Sequence, residues 1–170
     1  MRVNILRCEV KVRFVDMLLG SSGSRGLEVE SILDFLACLS TPIIFDNFQQ
    51  PIPLAKSGQF IPKDTAVRAS GWGYISMWGT VNLIDLRTVD LETVSNSYCR
   101  SLVDSAIYPS QICAYGGTGK GVCNKENGGP LIVDGTLVGI FSWGKPCVLG
   151  VPDVYVRVSE YFDWIYKNII

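Results

Sequence analysis

Histidine is absent from all 170 residues of this chain. That removes the one side chain whose ordinary pKa lets it exchange a proton near neutral pH, and with it the commonest metal ligand. No Cys-x-x-Cys spacing is present to take its place, so no metal site is expected. No apolar run approaches the roughly 18 residues that a membrane-spanning helix needs. Lys and Arg number 15 against 16 Asp and Glu, for a formal net charge of −1, and no basic block occurs. A nucleic-acid or membrane-surface partner is therefore not expected. The first residues carry Arg2, Arg7, Glu9 and Lys11, which interrupt any apolar stretch and do not read as a signal peptide.

What the chain does have is apolar content, 48% of its residues, enough at this length for one good core and a single domain. It also has six cysteines, a usage that suits an oxidising, extracellular setting. Strand patterns dominate. Residues 67–72 and 154–158 read as strands, and residues 83–94 alternate as a half-buried strand does. Residues 131–141 form a predicted hairpin whose Asp134-Gly135 pair supplies the positive φ of a two-residue loop. Residues 51–70 are a connection punctuated by Pro51, Pro53 and Pro62. A short turn or helix is expected around Cys99. The last element is a predicted helix capped by Ser159, with Phe162, Ile165, Tyr166 and Ile169 on one packing face. Residues 1–33 offer only short strand pieces and a turn at Gly23 and Gly26.

One stretch carries the chemistry. Gly121-Val122-Cys123-Asn124-Lys125-Glu126-Asn127-Gly128-Gly129-Pro130-Leu131 is followed, after the hairpin, by Ser142-Trp143-Gly144-Lys145-Pro146-Cys147. This resembles the nucleophile segment of the chymotrypsin/trypsin-like serine proteases, where Cys-x-x-Asp-Ser-Gly-Gly-Pro-Leu leads to Val-Ser-Trp-Gly and a second cysteine. Gly71-Trp72-Gly73 and Ile112-Cys113-Ala114 extend the resemblance, as does the run from Leu39 to Leu54. The resemblance implies an all-β fold, a chymotrypsin-like antiparallel double β-barrel with a C-terminal α-helix. Residues 1–54 would form an incomplete N-terminal barrel and residues 55–170 the C-terminal barrel. A half-built barrel leaves unpaired strand edges, which argues for a partner.

The resemblance also assigns roles by position. Asn127 stands where the family has its nucleophile serine, and Glu126 where it has the carboxylate that receives the activated N-terminus. The oxyanion hole would use the backbone N–H groups of Lys125 and Asn127. The acidic member of the triad falls at or beside Asp34; strict spacing to Pro42 puts Leu33 there, and Asp34 reads equally well as a strand-end or cap carboxylate. A specificity pocket would have Gly121 as its floor and Val122, Ser142, Trp143 and Gly144 as walls. Asp153 would stand on the wall position usually held by glycine. There it either meets a cationic side chain or is a surface turn residue after Pro152. Disulfides are implied between Cys99 and Cys113 and between Cys123 and Cys147, with Cys8 and Cys38 left over as buried apolar side chains or an orphan thiol.

These positions decide the expected function. Acyl transfer needs a hydroxyl that yields its proton to an imidazole, and the carboxamide of Asn127 has none to give. Losing one member of such a unit costs on the order of a million-fold in turnover. The sequence therefore predicts a catalytically inactive serine protease homologue that binds proteases, inhibitors or peptides through the old substrate cleft, extracellular and without cofactor. The alternative is a truncated product of an extracellular serine endopeptidase with no independent role. Unorthodox catalysis, for instance by Ser142 with Lys125 or Lys145, is the third reading.

Overall fold

Strands that share one apolar core close this molecule into a barrel. The computed structural model describes residues 10–12, 36–38, 45–47, 50–72, 86–118, 121–122, 128–145 and 150–168. In chain order the elements are β1 (Val10–Val12), β2 (Leu36–Cys38), β3 (Ala66–Gly71), β4 (Arg87–Val94), α1 (Asn96–Val103), β5 (Gln111–Tyr115), β6 (Pro130–Val133), β7 (Thr136–Trp143), β8 (Asp153–Arg157) and α2 (Val158–Asn168). β1 and β2 form an antiparallel pair of their own. The other six strands close an antiparallel barrel in the order β3-β4-β5-β8-β7-β6, with β6 returning to β3. This is the all-β barrel with a terminal helix that the sequence predicts.

β3 and β4 show the period of two of a half-buried strand, whereas β5, β7 and β8 bury consecutive residues on both faces. On β3, Val67, Ala69 and Gly71 turn inward while Arg68 turns out and pairs with Asp90 across the β3–β4 ladder at 2.7 Å. Both ends of that pair are exposed, so it contributes little to stability. Leu91 and Thr93 of β4 are buried; the Thr93 hydroxyl donates to the Pro62 carbonyl at 2.6 Å and accepts the Thr65 N–H at 3.0 Å, tying residues 62–65 to the barrel. The β6–β7 turn has φ of 45° at Asp134 and 71° at Gly135, the left-handed pair that a two-residue hairpin loop requires. The core gathers Val67, Ala69, Leu91, Ile112, Ala114, Leu131, Leu137, Val138, Ile140 and Tyr155, with the Phe141 and Tyr155 rings edge to face at 5.5 Å.

Two expectations change at element ends. The strand expected over 83–94 begins at Arg87, and Leu86 is exposed; residues 83–85 lie outside the described residues. Ser159 is not an N-cap. α2 follows β8 without a break and starts one residue earlier at the buried Val158, leaving Ser159 buried in the first turn. That start rotates the packing face. Val158, Tyr161, Trp164 and Ile165 meet the core, while Phe162 and Tyr166 stack on one another at 6.4 Å away from it, with Tyr166 about half exposed. Ile169 lies outside the described residues.

The connection before the barrel is strapped to it. Ala55 N–H donates to the Leu137 carbonyl at 3.0 Å and Leu137 N–H to the Pro53 carbonyl at 2.8 Å, so residues 53–55 run along β7. Further on, Ser57 Oγ meets Asp163 Oδ2 at 3.0 Å and Gly58 N–H reaches the Ser159 carbonyl, fixing the same segment to α2.

A second cluster sits at the opposite side of β5. Ser95 caps α1, its hydroxyl accepting the Tyr98 N–H at 3.2 Å. The helix then delivers Cys99 to Cys113 of β5, and the two form a disulfide buried among Val103, Ile107 and Val154. Arg157 braces the neighbouring loop, its Nε donating to the Pro109 carbonyl at 3.0 Å and its Nη2 to the Gln111 carbonyl at 2.9 Å. Burial lowers the guanidinium's pKa, an effect opposed by Glu160, but the group remains charged at neutral pH.

The disulfide spans 14 positions, and closing a loop of that size is worth about 3 kcal/mol in the unfolded chain. Replacing both Cys99 and Cys113 by alanine is expected to lower the unfolding free energy in urea by about that amount. An unchanged midpoint would show that the bond contributes nothing to the barrel.

Candidate functional site

Three segments distant in sequence converge at one end of the barrel. The first is residues 121–122, leading toward the run that contains Asn127. The second is the end of β7, Ser142-Trp143 and then Gly144. The third is the start of β8 at Asp153. Antiparallel pairing of β8 with both β5 and β7 fixes Asp153 opposite Ala114 on one side, and Trp143 opposite Val154 on the other.

Asp153 is the centre of this arrangement. It is only 4% exposed, and its Oδ2 accepts the buried Val122 N–H at 2.7 Å. A carboxylate removed from water is costly unless hydrogen bonds compensate it, and a backbone donor to an ionised acceptor is among the stronger ones. The surface-turn reading of Asp153 is therefore overturned: Pro152 does precede a change of direction, but the side chain points inward from the first residue of β8 and is held by a residue 31 positions earlier.

Two glycines make room for that carboxylate. A methyl group placed on the α-carbon of Gly121 would lie 3.2 Å from Asp153 Oδ2, and one on Gly144 would lie 2.8 Å from Oδ1. The carboxylate thus bridges the two segments, one oxygen toward each. The same position on Gly144 is 3.6 Å from Cε2 and Cζ of Phe141, so an aromatic ring lies alongside. Val122 is buried in the barrel core.

The remaining predicted wall residues behave differently. Pairing between β7 and β8 shifts register between Phe141 and Trp143, leaving Ser142 exposed, as the extra residue of a bulge commonly is. Trp143 is half-buried and packs against the cluster around the Cys99–Cys113 disulfide. Gly121, Val122, Gly144 and Asp153 are thus brought together, with Ser142 and Trp143 next to them on the chain but not gathered around the carboxylate. Phe141 was missed by the sequence reading; its place directly before the Ser142-Trp143-Gly144 run was the available signal.

Lys125, Glu126 and Asn127 lie outside the described residues, as do Asp34, Cys8, Cys123 and Cys147. Their flank is fixed, however. Gly128 N–H donates to the Phe141 carbonyl at 2.9 Å and Phe141 N–H to the Gly129 carbonyl at 2.8 Å, which anchors the exit of the 123–127 segment beside β7. Among the described residues no cluster of three or more metal-ligating side chains occurs.

A family model, that of trypsin, matches residues 35–165 of the chain. The chain belongs to the trypsin family. Chymotrypsin-2 of Vespa crabro is 35% identical over 130 residues, covering 76% of this chain and 58% of the relative. Hypodermin-B of Hypoderma lineatum is 40% identical over 135 residues, 76% of this chain and 51% of the relative. Trypsin of Phaedon cochleariae is 34% identical over 134 residues, 76% of this chain and 52% of the relative. The chain spans about half the length of the curated relatives it matches. The trypsin family is one of serine endopeptidases, and its fold is the barrel described above.

The close approach of Asp153 to Gly144 generates a test in this trypsin-family barrel. Gly144→Ala is expected to destabilise the protein by about 1–3 kcal/mol, as overpacking does. In an Asp153→Gly background the added methyl meets no carboxylate, so the two substitutions should be non-additive by about 1 kcal/mol or more. A double-mutant cycle in urea measures the coupling; additive effects would mean that the two groups do not compete for the same space.

Proposed function

We propose that this chain is a non-catalytic member of the trypsin family that binds polypeptide through the site its relatives use to hold substrate. The observation that carries this reading is the asparagine at position 127, inside an otherwise family-like Gly-Gly-Pro-Leu run. A carboxamide has no O–H to surrender and is a poor attacking group, so the acyl-enzyme step has no nucleophile. An imidazole supplied from any source would find no hydroxyl there to deprotonate. The absence of histidine from these 170 residues points the same way.

Binding is a separate matter from bond-breaking. The Asp153 carboxylate lies at this end of the barrel, buried between Gly121 and Gly144 with Phe141 beside it, and a negative charge there favours a partner that brings a basic side chain to the old cleft. Natural partners under this reading are proteins or peptides with an accessible basic residue, proteases and their inhibitors included. An extracellular location goes with the reading, supported by the buried Cys99–Cys113 disulfide, since such bonds persist in oxidising compartments.

Two measurements test it together. The purified chain is expected to leave peptide and ester substrates intact and to escape labelling by a fluorophosphonate; turnover that disappears on changing Asn127 would overthrow the non-catalytic half. A short peptide containing lysine and arginine is expected to raise the melting temperature, as any ligand selective for the folded state does. An acidic peptide of the same length should not. Equal silence from both peptides would end the binding half.

A further inference from the structure

We propose that the peptide bond between Phe60 and Ile61 is a processing site, cut by an endopeptidase that prefers large aromatic side chains, and that the cut chain persists as two associated pieces. Here the chain is the substrate of a protease, so the inference stands apart from the reading of the old cleft.

The span from Lys56 to Ile61 lies between two firm anchors. Upstream, residues 53–55 are bonded to Leu137 of β7. Downstream, the Pro62 carbonyl accepts the hydroxyls of Thr65 at 2.7 Å and of the buried Thr93 at 2.6 Å, and Asp64 N–H donates to the Thr93 carbonyl at 2.8 Å. The span itself is held more weakly. Gly58 N–H reaches the Ser159 carbonyl only at 3.4 Å. The bonds from Ser57 Oγ to Asp163 and from Lys56 N–H to the Gln59 side chain are exposed, where water competes for both partners. Opening these residues therefore costs far less than unfolding the barrel.

An endopeptidase draws its substrate out as an extended strand whose side chains enter pockets in turn, so it needs an accessible anchor and a backbone free to extend. Phe60 supplies the anchor. It is 78% exposed, the most exposed large apolar side chain among the described residues. Ile61 packs against the core, so the bond becomes available only when the span opens. Other exposed aromatics lack one condition or the other. Tyr98 and Tyr166 lie within α1 and α2, where the backbone is committed to helix. Tyr108 precedes Pro109 in a loop locked by Asn96 on the Tyr108 carbonyl and Arg157 on the Pro109 carbonyl, each at 3.0 Å. Hydrolysis consumes one water: the amide C–N bond breaks, the Phe60 carbonyl carbon gains the oxygen as a carboxylate, and the Ile61 nitrogen leaves as an ammonium. The contacts of residues 53–55 and 57–58 lie upstream of the cut while their partners on β7 and α2 lie downstream, which keeps the pieces together. The Cys99–Cys113 disulfide falls wholly in the downstream piece.

The experiment exposes the full chain to a low ratio of chymotrypsin and identifies the products by intact mass and N-terminal sequencing. Ile61 is expected as the first new N-terminus, with both pieces co-eluting on size exclusion until urea and a reductant are added. Phe60→Ala, a change to an exposed side chain, is expected to leave the melting temperature unaltered and to slow this cut by about tenfold or more, the scale on which an apolar pocket separates large from small side chains. A first cut after Phe45 or any other aromatic residue, or no cut at all, overturns the site. An unaltered rate in Phe60→Ala overturns the role of that side chain, and pieces that part without denaturant overturn the associated two-piece form.

Discussion

A closed antiparallel sheet has no free edge, and that constraint governs the rest of this structure. With β6 returning to β3, every barrel strand has its register fixed by a neighbour on each side. A slip of one residue in β8 would carry Val154 and Tyr155 to the wrong faces and swing Asp153 out of the barrel end. The apolar core of residues such as Leu131, Leu137 and Tyr155, all under 2% exposed, makes such a slip costly. The position of one polar group at the barrel's end is thus guaranteed by the burial of apolar groups along its length.

The end of the barrel then converts rigid geometry into chemistry. Val122, Gly144 and Asp153 come from three different loops or strand ends, yet the carboxylate meets the first by a 2.7 Å hydrogen bond and the second at contact distance. Segments that carry function are often loops held by a stiff scaffold. Here the scaffold also includes the segment 53–55 laid along β7 and the Arg157 brace, which together leave the strands around the site little freedom to move. The cost of burying a carboxylate is met locally, by the Val122 N–H, while its placement is paid for by the core.

Much of this was legible in the sequence, for reasons that are local. The Asp134-Gly135 turn was readable because only a few residues accept two successive positive φ values, and the alternation of residues 67–71 because side chains on a strand have a period of two. The family resemblance added the Cys99–Cys113 pairing, which no spacing rule could have given. What was not legible depended on contacts between distant residues. Asp153 after Pro152 has the local look of a turn; that it is buried is decided by Val122, Gly121 and Gly144, none of them a sequence neighbour. The face of α2 was misread because Val158 was assigned to the preceding strand. Once Val158 is the first helical residue, positions 158, 161 and 165 form the inward stripe, and Phe162 and Tyr166 fall beside it.

Side-chain chemistry and backbone packing at this end of the barrel draw on different physical resources. Acyl transfer by a serine endopeptidase depends on a hydroxyl and a proton acceptor, and the carboxamide of Asn127 is neither. The arrangement around Asp153 depends instead on backbone and glycine, fixed by the register of strands that the core must keep in any case. Stability alone therefore holds the arrangement in place, because a larger side chain at Gly144 would meet Asp153 in the space beside it. Asp153 in turn cannot leave without stranding the buried Val122 N–H.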